Sequence, residues 1–365
     1  MLREEIPSQS SELCPIMKTS AGKLERLVRA FRGRRMGVLG DFMLDRYVWG
    51  SATRLSPEAA VPVVDFVSES QVLGGAGNVA ANLAALGAKV EAFGVTGEDD
   101  AGLALKRCLA AQGIGAKGML EDASRMTTVK TRVIARHQQV VRVDRERRGP
   151  VDSALEEKLI RRVKAAIQHL DALVISDYDK GVVTDVVAER VLGEAQRRGL
   201  PALVKPKTSR LFGYQGATAI VCNSKEAGFF VTRSLADDIA VEQAGRSLLA
   251  HFGCAAVLIT RGEHGLSVIE EGVAKPVHVP ATSFEISYAR VGLPGVERGT
   301  AARQVFDVTG AGDTVLSVLA LGVASGAAVQ DAARLANLAA GVVVGKLGTA
   351  TLSPAELSAA LRELV

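Results

Sequence analysis

The sequence predicts an α/β fold: a mostly parallel central sheet flanked by helices, with a small β-sheet lid. Short apolar runs alternate with Ala- and Leu-rich segments of helical length, which is the pattern of parallel strands joined by crossover helices. Residues 61–67 and 127–143 differ, because they are rich in β-branched side chains and the second range alternates apolar with polar positions. This alternation predicts antiparallel strands with one solvated face, which we place in the lid.

The apolar runs predict the strands of the central sheet in order. The first, at 36–39, ends at Gly40-Asp41, as a buried strand does when it delivers a carboxylate at its C-terminal end. The later runs occupy residues 90–95, 172–175, 202–204, 219–221 and 256–259. Two further apolar stretches, 315–329 and 335–344, are short and rich in Ala and Gly, so they predict buried helices and not membrane spans.

Along the chain we predict a leader and one domain. Residues 1–33 are expected to form a flexible leader and a first helix, without the continuous apolar segment of a secretory signal. Residues 34–365 are expected to form a single domain whose lid strands lie near 45–67 and 127–145. No low-complexity linker separates those strands from the rest, so we interpret the lid as an insertion in the domain.

Composition narrows the class of protein. With 365 residues, 48% of them hydrophobic, the chain can bury a large core. Its 44 Lys and Arg against 40 Asp and Glu give a net charge of +4 that is spread along the chain, which disfavours nucleic acid as a partner but leaves small anionic substrates open. The four cysteines are scattered without zinc-site spacing, as expected for reduced thiols of a cytoplasmic protein.

The first candidate cluster, Asp307-Val308-Thr309-Gly310-Ala311-Gly312-Asp313, lies where an apolar helix is predicted to begin. A Gly-x-Gly turn leaves the backbone amides of Gly310, Ala311 and Gly312 able to hold an anion at the positive end of the helix dipole. Asp313 is suited to accept the proton of an attacking hydroxyl while a phosphoryl group is transferred. The simpler alternative is a tight turn with Asp313 as a helix cap.

A second glycine-rich turn, Gly74-Gly75-Ala76-Gly77-Asn78, also precedes a predicted helix. Gly75 would let a ligand approach the backbone, and Asn78 offers a donor and an acceptor to sugar hydroxyls. Two other interpretations stay open. One is a purely structural turn, and the other is a dinucleotide-binding fingerprint, Gly75-x-Gly77-x-x-Ala80, with an acidic residue at 98–100 for the ribose.

The third cluster, Asn223-Ser224-Lys225-Glu226, follows the strand predicted at 219–221. At the carboxyl end of a strand, Asn223 and Glu226 could order the water shell of Mg²⁺, an ion that keeps several waters and takes few direct protein ligands. An Asn cap followed three residues later by Glu is also an ordinary helix start, and this alternative stays open.

Smaller features suit a phosphorylated substrate. Asp177 and Lys180 follow the strand predicted at 172–175, and Lys180 would be a mobile point charge for phosphate. Arg132 and Arg142 in the lid could form bidentate pairs with phosphate. Side chains of this kind are more often ordinary surface charges, and this alternative stays open.

Four motifs taken in order resemble the ribokinase-like (PfkB) sugar kinases: Gly40-Asp41, the 74–78 turn, Asn223-x-x-Glu226 and Asp307-x-x-Gly-x-Gly-Asp313. Further motifs narrow the likeness to the kinase module of the bacterial heptose 7-phosphate kinases, from residue 39 to the C-terminus. They are Asp41-x-Met43-Leu44-Asp45-Arg46-Tyr47, Ser56-Pro57-Glu58-Ala59, His137-Gln138-Gln139, Ser176-Asp177-Tyr178, residues 308–314 and residues 341–349.

The resemblance implies an activity, namely ATP-dependent phosphorylation of O1 of D-glycero-β-D-manno-heptose 7-phosphate on the route to the ADP-heptose of lipopolysaccharide cores. It implies ATP and Mg²⁺ as cofactors, a place for a monovalent cation such as K⁺, and a homodimer joined through the lid strands. Many relatives carry a nucleotidyltransferase module after the kinase. This chain ends soon after Thr349, so we expect the kinase alone.

The resemblance also implies roles for single residues. Asp313 becomes the general base, and the amides of residues 310–312 become the anion hole. Other residues divide into three groups: Asp41, Gly75 and Asn78 at the sugar; Asn223 and Glu226 at the magnesium ion through water; and Thr260, Arg261, Gly262, Asn337 and Gly348 near the nucleotide.

Two features depart from the family pattern. Where Asp-Pro-Lys-Gly is expected, the chain has Lys205-Pro206-Lys207-Thr208, which exchanges an acid near the proposed metal site for a base. Extra residues at 284–302 have no functional interpretation. Three rival functions stay open: a related kinase for another sugar, sugar phosphate or nucleoside, an NAD-dependent oxidoreductase built on the 75–80 turn, and an inactive sugar-phosphate binder suggested by Lys205.

Overall fold

The computed structural model describes residues 14–135, 138–207, 213–282, 308–346 and 348–363, with side chains from residue 22 onward. The strands are β1 (Arg35–Gly40), β2 (Phe42–Leu55), β3 (Pro62–Gly75), β4 (Lys89–Gly97), β5 (Gly115–Asp122), β6 (Val129–Ala135), β7 (Gln138–Arg145), β8 (Ala172–Ser176), β9 (Ala202–Lys205), β10 (Ala219–Asn223), β11 (Ala256–Thr260), β12 (Leu266–Glu270) and β13 (Val277–Val279). The helices are α1 (Cys14–Ala30), α2 (Ala76–Ala85), α3 (Asp100–Ala111), α4 (Ser153–Ile167), α5 (Asp185–Arg197), α6 (Ser224–Phe230), α7 (Asp238–Phe252), α8 (Ala311–Ala324), α9 (Val329–Val343) and α10 (Pro354–Glu363).

The central sheet has the order β13-β12-β11-β10-β9-β8-β1-β4-β5. The strands from β11 to β5 in this order are all parallel, and β12 and β13 add an antiparallel edge. The predicted fold class, a mostly parallel sheet with helices on its faces, is therefore confirmed.

Each face of the sheet carries its own apolar core, because successive strand residues point to opposite faces. Val38 and Val174 pack in the core covered by α1, α2, α8, α9 and α10, whereas Leu39 and Ile175 pack in the core covered by α4, α5 and α7. Helix α1 joins the first core through Leu24, so the first predicted helix packs on the domain. The predicted leader before residue 14 and the extra segment at 284–302 lie outside the described residues.

The lid is a four-stranded sheet of order β3-β2-β6-β7. It consists of two antiparallel hairpins, β2 with β3 and β6 with β7, which confirms the interpretation of the two β-branched segments. The hairpins meet through a parallel pairing of β2 with β6, a feature that alternation alone does not predict. Only Asp41 separates β1 from β2, so the lid grows directly out of the carboxyl end of the central sheet.

Side-chain caps fix where several helices begin. Asp99, Asp152, Thr184 and Asp237 each accept a hydrogen bond from a backbone N–H in the first turn of the helix that follows. Each such cap stabilises its helix by about 1 kcal/mol. Within the described ranges, none of the helices has both the length and the apolar character needed to cross a membrane.

Candidate active site

The carboxyl edge of the central sheet gathers most of the predicted site residues. Because parallel strands end at the same edge, Asp41 after β1, Asp177 after β8, Lys205 at the end of β9, Asn223 at the end of β10 and Thr260 at the end of β11 lie along one line. Ligands of open α/β sheets bind outside this edge. The N-terminal turns of α2 and α8 face the same region.

The turn that begins α8 requires glycine at its first position. Gly310 has φ of 86°, and a Cβ atom there would lie 2.8 Å from Asn78 Nδ2. Asp313 and Thr314 both donate their backbone N–H to the carbonyl of Gly310, whereas the amide of Gly312 has no acceptor among the described residues. The Ala311 amide donates to the Val308 carbonyl at 3.3 Å, so of these two predicted anion-hole amides it is that of Gly312 that suits the binding of an anion.

Asp313 is almost completely buried in the first turn of α8, with 4% of its surface exposed. Its Oδ2 accepts a hydrogen bond of 2.8 Å from Asn78 Nδ2. Its Oδ1 accepts from the Tyr178 hydroxyl at 2.7 Å and from Lys205 Nζ at 2.6 Å. The simple helix-cap alternative predicts none of these three contacts, which hold the carboxylate between groups from three other elements.

Asn78 is held in place by a second layer of buried polar groups. Asn82 donates to the carbonyl and to the side-chain oxygen of Asn78, and Thr314 donates its hydroxyl to Asn82 Oδ1 at 3.0 Å. Such networks are rigid when every member has a partner. The two glycine-rich turns therefore form one unit.

The Gly75 turn approaches the backbone at the end of β1. Gly75 has φ of 57°, and a Cβ atom there would lie 2.6 Å from the carbonyl oxygen of Asp41. The turn follows β3, a strand of the lid, and not a parallel strand of the central sheet. A dinucleotide fingerprint needs a parallel strand before its glycine turn, so the structure disfavours that alternative.

The Asp41 carboxylate is enclosed by the loop after β8. Its Oδ2 accepts from the backbone N–H of Tyr178 and of Lys180, and its Oδ1 accepts from that of Val182. Burial, together with the neighbouring Asp177 carboxylate, raises the pKa of Asp41 to about 7. In the structure Asp41 therefore orders a loop of the site, and its predicted contact with a sugar stays a prediction.

Asp45, which sequence reasoning did not select, lies beside the Gly74 turn, since a Cβ atom built on Gly74 would be 2.7 Å from its Oδ2. Its Oδ1 lies 2.8 Å from Arg132 Nη1, close enough for an ion pair, but neither atom has a partner with hydrogen-bond geometry among the described residues. Burial raises the pKa of Asp45, Arg132 opposes this, and the charge of Asp313 adds to it. One signal could have pointed to Asp45. Met43 pairs with Gly74 of the glycine-rich turn, and Asp45 follows Met43 by two residues in β2.

The other predicted cations of the lid region also have acidic partners. Lys180 Nζ lies 2.9 Å from Glu146, which also lies 3.4 Å from Lys130. Arg142 pairs with Asp144 on the same strand and is more exposed than Arg132. Asp177 accepts from the hydroxyl of Tyr214 and from the backbone N–H of Asp179.

Asn223 and Glu226 form a capping box at the start of α6. Asn223 Oδ1 accepts from the Glu226 N–H, and Glu226 Oε2 accepts from the Asn223 N–H. Each of these oxygens keeps a second lone pair, which could accept a hydrogen bond from a water of a hydrated Mg²⁺.

The residues predicted near the nucleotide occupy several elements. Thr260 pairs with Asn223 across β10 and β11, and its carbonyl accepts from Ser224 Oγ. Arg261 lies 2.6 Å from Asp238, and Gly262 begins a 3₁₀ turn with φ of 60°. Asn337 on α9 donates to the Pro280 carbonyl and to Thr282, and Gly348 has φ of 72° beside Tyr47.

Fold and site together define a class of protein. A buried carboxylate at a glycine-rich helix start, at the carboxyl edge of a parallel sheet, is suited to phosphoryl transfer to a small molecule. Residues 37–356 match the family model described as pfkB family carbohydrate kinase. The chain belongs to this family.

Individual relatives agree with this assignment. The chain is 43% identical over 337 residues to the bifunctional protein HldE of Geotalea uraniireducens, covering 92% of this chain and 65% of that protein. It therefore spans less than two thirds of that relative's length. Phosphofructokinase-2 from Escherichia coli in complex with potassium has a TM-score of 0.70 at 18% identity, covering 91% of this chain and 99% of that one. Arabidopsis thaliana ribokinase complexed with ribose and ATP has a TM-score of 0.68 at 17% identity, with the same coverage.

Proposed function

We propose that the chain transfers the γ-phosphoryl group of ATP to O1 of D-glycero-β-D-manno-heptose 7-phosphate, a step toward ADP-heptose for lipopolysaccharide in the cytoplasm. The observation that carries this proposal is the buried Asp313 carboxylate in the first turn of α8, which accepts hydrogen bonds from Asn78, Tyr178 and Lys205. The likeness to HldE proteins supports the choice of sugar.

In this mechanism Asp313 accepts the proton of the sugar hydroxyl as its oxygen attacks phosphorus. Asn78 and Tyr178 orient the two carboxylate oxygens. The amides at the start of α8 hold the phosphoryl oxygens, where the helix dipole favours negative charge. The enzyme contributes chiefly positioning and charge stabilisation, because phosphoryl transfer needs little covalent help.

When bound, Mg²⁺ would neutralise part of the charge on the phosphates of ATP. Asn223 and Glu226 would hold its water shell, in keeping with the free lone pairs of their capping box. We place the nucleotide along the ends of β10 and β11, near Thr260, Arg261, Gly262, Asn337 and Gly348. A site for K⁺ is part of the proposal through family likeness alone.

The inner face of the lid supports a phosphorylated acceptor. Asp45 is buried and Arg132 is partly buried, and the neighbouring atoms Asp45 Oδ1 and Arg132 Nη1 have no partner with hydrogen-bond geometry among the described residues. Arg142 is the cross-strand partner of Arg132, and Lys180 follows β8 at the carboxyl edge of the central sheet; each has an acidic partner, Asp144 or Glu146. We assign Asp45 to a sugar hydroxyl, and Arg132 with these two cations to the terminal phosphate of the sugar.

Exposed apolar side chains on the edge strands of the lid support a homodimer. Phe66, Val67 and Val143 are more than half exposed on the lid strands. Phe66 and Val67 lie on β3 and Val143 lies on β7, the two edge strands of the lid sheet, and exposed edge strands are ready to pair with another chain. We propose that two copies of the chain pair through these strands.

The deciding experiment measures ADP release from ATP and Mg²⁺ with heptose 7-phosphate, and with a panel of sugars that have or lack a terminal phosphate. We expect the highest kcat/KM for heptose 7-phosphate and a large loss for sugars without the phosphate. Higher activity on an uncharged sugar or a nucleoside would refute the proposed acceptor. Thermal stabilisation by NAD but not by ATP with Mg²⁺ would refute the kinase itself.

A further inference from the structure

We propose that Lys205 is a catalytic residue of the transfer: its ammonium group pairs with Asp313 in the free enzyme and holds the terminal phosphoryl group of ATP during the reaction. The inference rests on the proposed kinase function but not on the identity of the acceptor sugar.

The position of Lys205 between the base and the glycine turn carries the inference. It is the last residue of β9, and its Nζ lies 2.6 Å from Asp313 Oδ1 and 3.2 Å from the Tyr178 hydroxyl. A Cβ atom built on Gly312 would lie 3.6 Å from the same Nζ. The ammonium group is thus within reach of both the carboxylate and any anion held by the turn.

The electrostatics of this position favour a bound anion. Burial would lower the pKa of Lys205, but the Asp313 carboxylate and the Tyr178 hydroxyl outweigh burial and raise it, so the side chain stays charged. An ammonium group beside a helix N-terminus is repelled by the helix dipole unless negative charge lies between them. Asp313 supplies such charge in the free protein, and a terminal phosphate would supply more of it.

The ammonium group also has spare hydrogen-bonding capacity. A lysine has three N–H donors, and Lys205 uses them toward two acceptors among the described residues, Asp313 and Tyr178. Its side chain is 17% exposed, so it is open toward the site while largely enclosed by protein. A phosphoryl oxygen is the strong acceptor that a remaining donor would bind.

In the reaction step the acceptor oxygen forms a bond to phosphorus and its proton goes to Asp313. The bond from phosphorus to the bridging oxygen breaks, and its electron pair leaves on the β-phosphate of ADP. Lys205 stays protonated and holds the non-bridging oxygens of the migrating group. As it moves onto these oxygens it releases Asp313 Oδ1, which is then able to accept the proton.

The first test measures binding and does not use the sugar. Calorimetry would give the Kd of ADP and of the non-hydrolysable β,γ-imido analogue of ATP, each with Mg²⁺, for the unaltered chain, Lys205→Met and Lys205→Arg. We expect Lys205→Met to raise the Kd of the imido analogue at least about tenfold more than the Kd of ADP. Lys205→Arg should recover most of the lost affinity. The control Lys106→Met removes a lysine from a surface ion pair with Glu121 and should change neither Kd.

A second variant keeps the test valid if Lys205→Met is unstable, because that change leaves a buried carboxylate without its counter-charge. Lys205→Met combined with Asp313→Asn removes both charges, and it should bind the imido analogue about tenfold more weakly than Asp313→Asn alone. In turnover, Lys205→Met should lower kcat by about 10²-fold. An unchanged ratio of the two Kd values, or an unchanged or higher kcat, would overturn the inference. Failure of the unaltered chain to bind either nucleotide would overturn the proposed function as well.

Discussion

Asn78 and Asp313 lie 235 positions apart in the sequence and are joined by a hydrogen bond of 2.8 Å. The bond connects the first turns of α2 and α8, and each of these helices begins after a glycine with positive φ, Gly75 or Gly310. The positive ends of two helix dipoles therefore face one small region, an arrangement that favours bound negative charge.

The first prediction concerns Gly310→Ala. Left-handed backbone strain and the 2.8 Å approach of the new Cβ to Asn78 Nδ2 should together lower the free energy of unfolding by roughly 2–4 kcal/mol. Chemical denaturation would measure this. Gly326→Ala is the matched control, because Gly326 has φ of 80° but open space around its Cβ position. Equal losses in the two variants would show that the contact with Asn78 costs nothing.

The sequence predicted the fold well because its signals are local. The apolar runs at 36–39 and 172–175 match β1 and β8 closely, and the glycine turns mark where α2 and α8 begin. The hydrogen bonds of Asp313 to Asn78, Tyr178 and Lys205 were not predicted, since each joins residues far apart in the chain. Lys205 was seen only as an unexpected base, because no sequence pattern gives its distance to Asp313.

The role of Asp41 was also predicted only in part from the sequence. Its place after a buried strand indicated a functional carboxylate, which the resemblance assigned to the sugar. The structure directs its oxygens to the amides of Tyr178, Lys180 and Val182. The carboxylate with an oxygen that lacks a hydrogen-bond partner among the described residues is instead that of Asp45, four residues later. Only the fold of the lid brings Asp45 next to Arg132.

The second prediction concerns Asp313→Asn. Loss of the proposed general base should lower the rate of ADP release by about 10²-fold or more, while binding of an ATP analogue is retained. Asp331→Asn is the control, because Asp331 is a similarly buried acid on α9 that pairs with Lys23 and Arg334 away from the site. Full turnover by Asp313→Asn would remove Asp313 from the mechanism.

The third prediction is a pH dependence of stability caused by Asp41. Its pKa is raised from 3.8 to about 7 in the folded protein, so the folded state binds the proton more tightly than the unfolded state. Its contribution to stability is fully present below about pH 4 and is lost as the pH rises through about 7. The difference in unfolding free energy between the unaltered chain and Asp41→Asn should therefore change between these pH values, as urea denaturation would measure.

Asp122 provides a control of opposite sign for this pH series. Burial raises the pKa of Asp122, but hydrogen bonds from Ser124 and the charge of Arg125 outweigh it and hold the pKa below its ordinary value. Its contribution is present above the unfolded pKa and is lost as the pH falls through the folded one. The difference in unfolding free energy between the unaltered chain and Asp122→Asn should thus change with pH only in the acidic range. If the corresponding difference for Asp41→Asn stays constant between pH 4 and 7, the third prediction is contradicted.

The fourth prediction separates the two arginines of the lid. Arg132 is 13% exposed and lies 2.8 Å from Asp45, whereas Arg142 is 49% exposed and pairs with Asp144. A charge-assisted contact is stronger where water is excluded, so Arg132→Met should raise the KM for the sugar phosphate about tenfold or more, and Arg142→Met by less. Arg132→Lys should recover only part of the affinity, because it keeps the charge but loses the planar fork. Arg132→Met also leaves Asp45 without its counter-charge, so the decisive comparison uses a sugar without the phosphate. If the KM of that sugar rises by the same factor, Arg132 acts on the site through Asp45 and does not bind the phosphate.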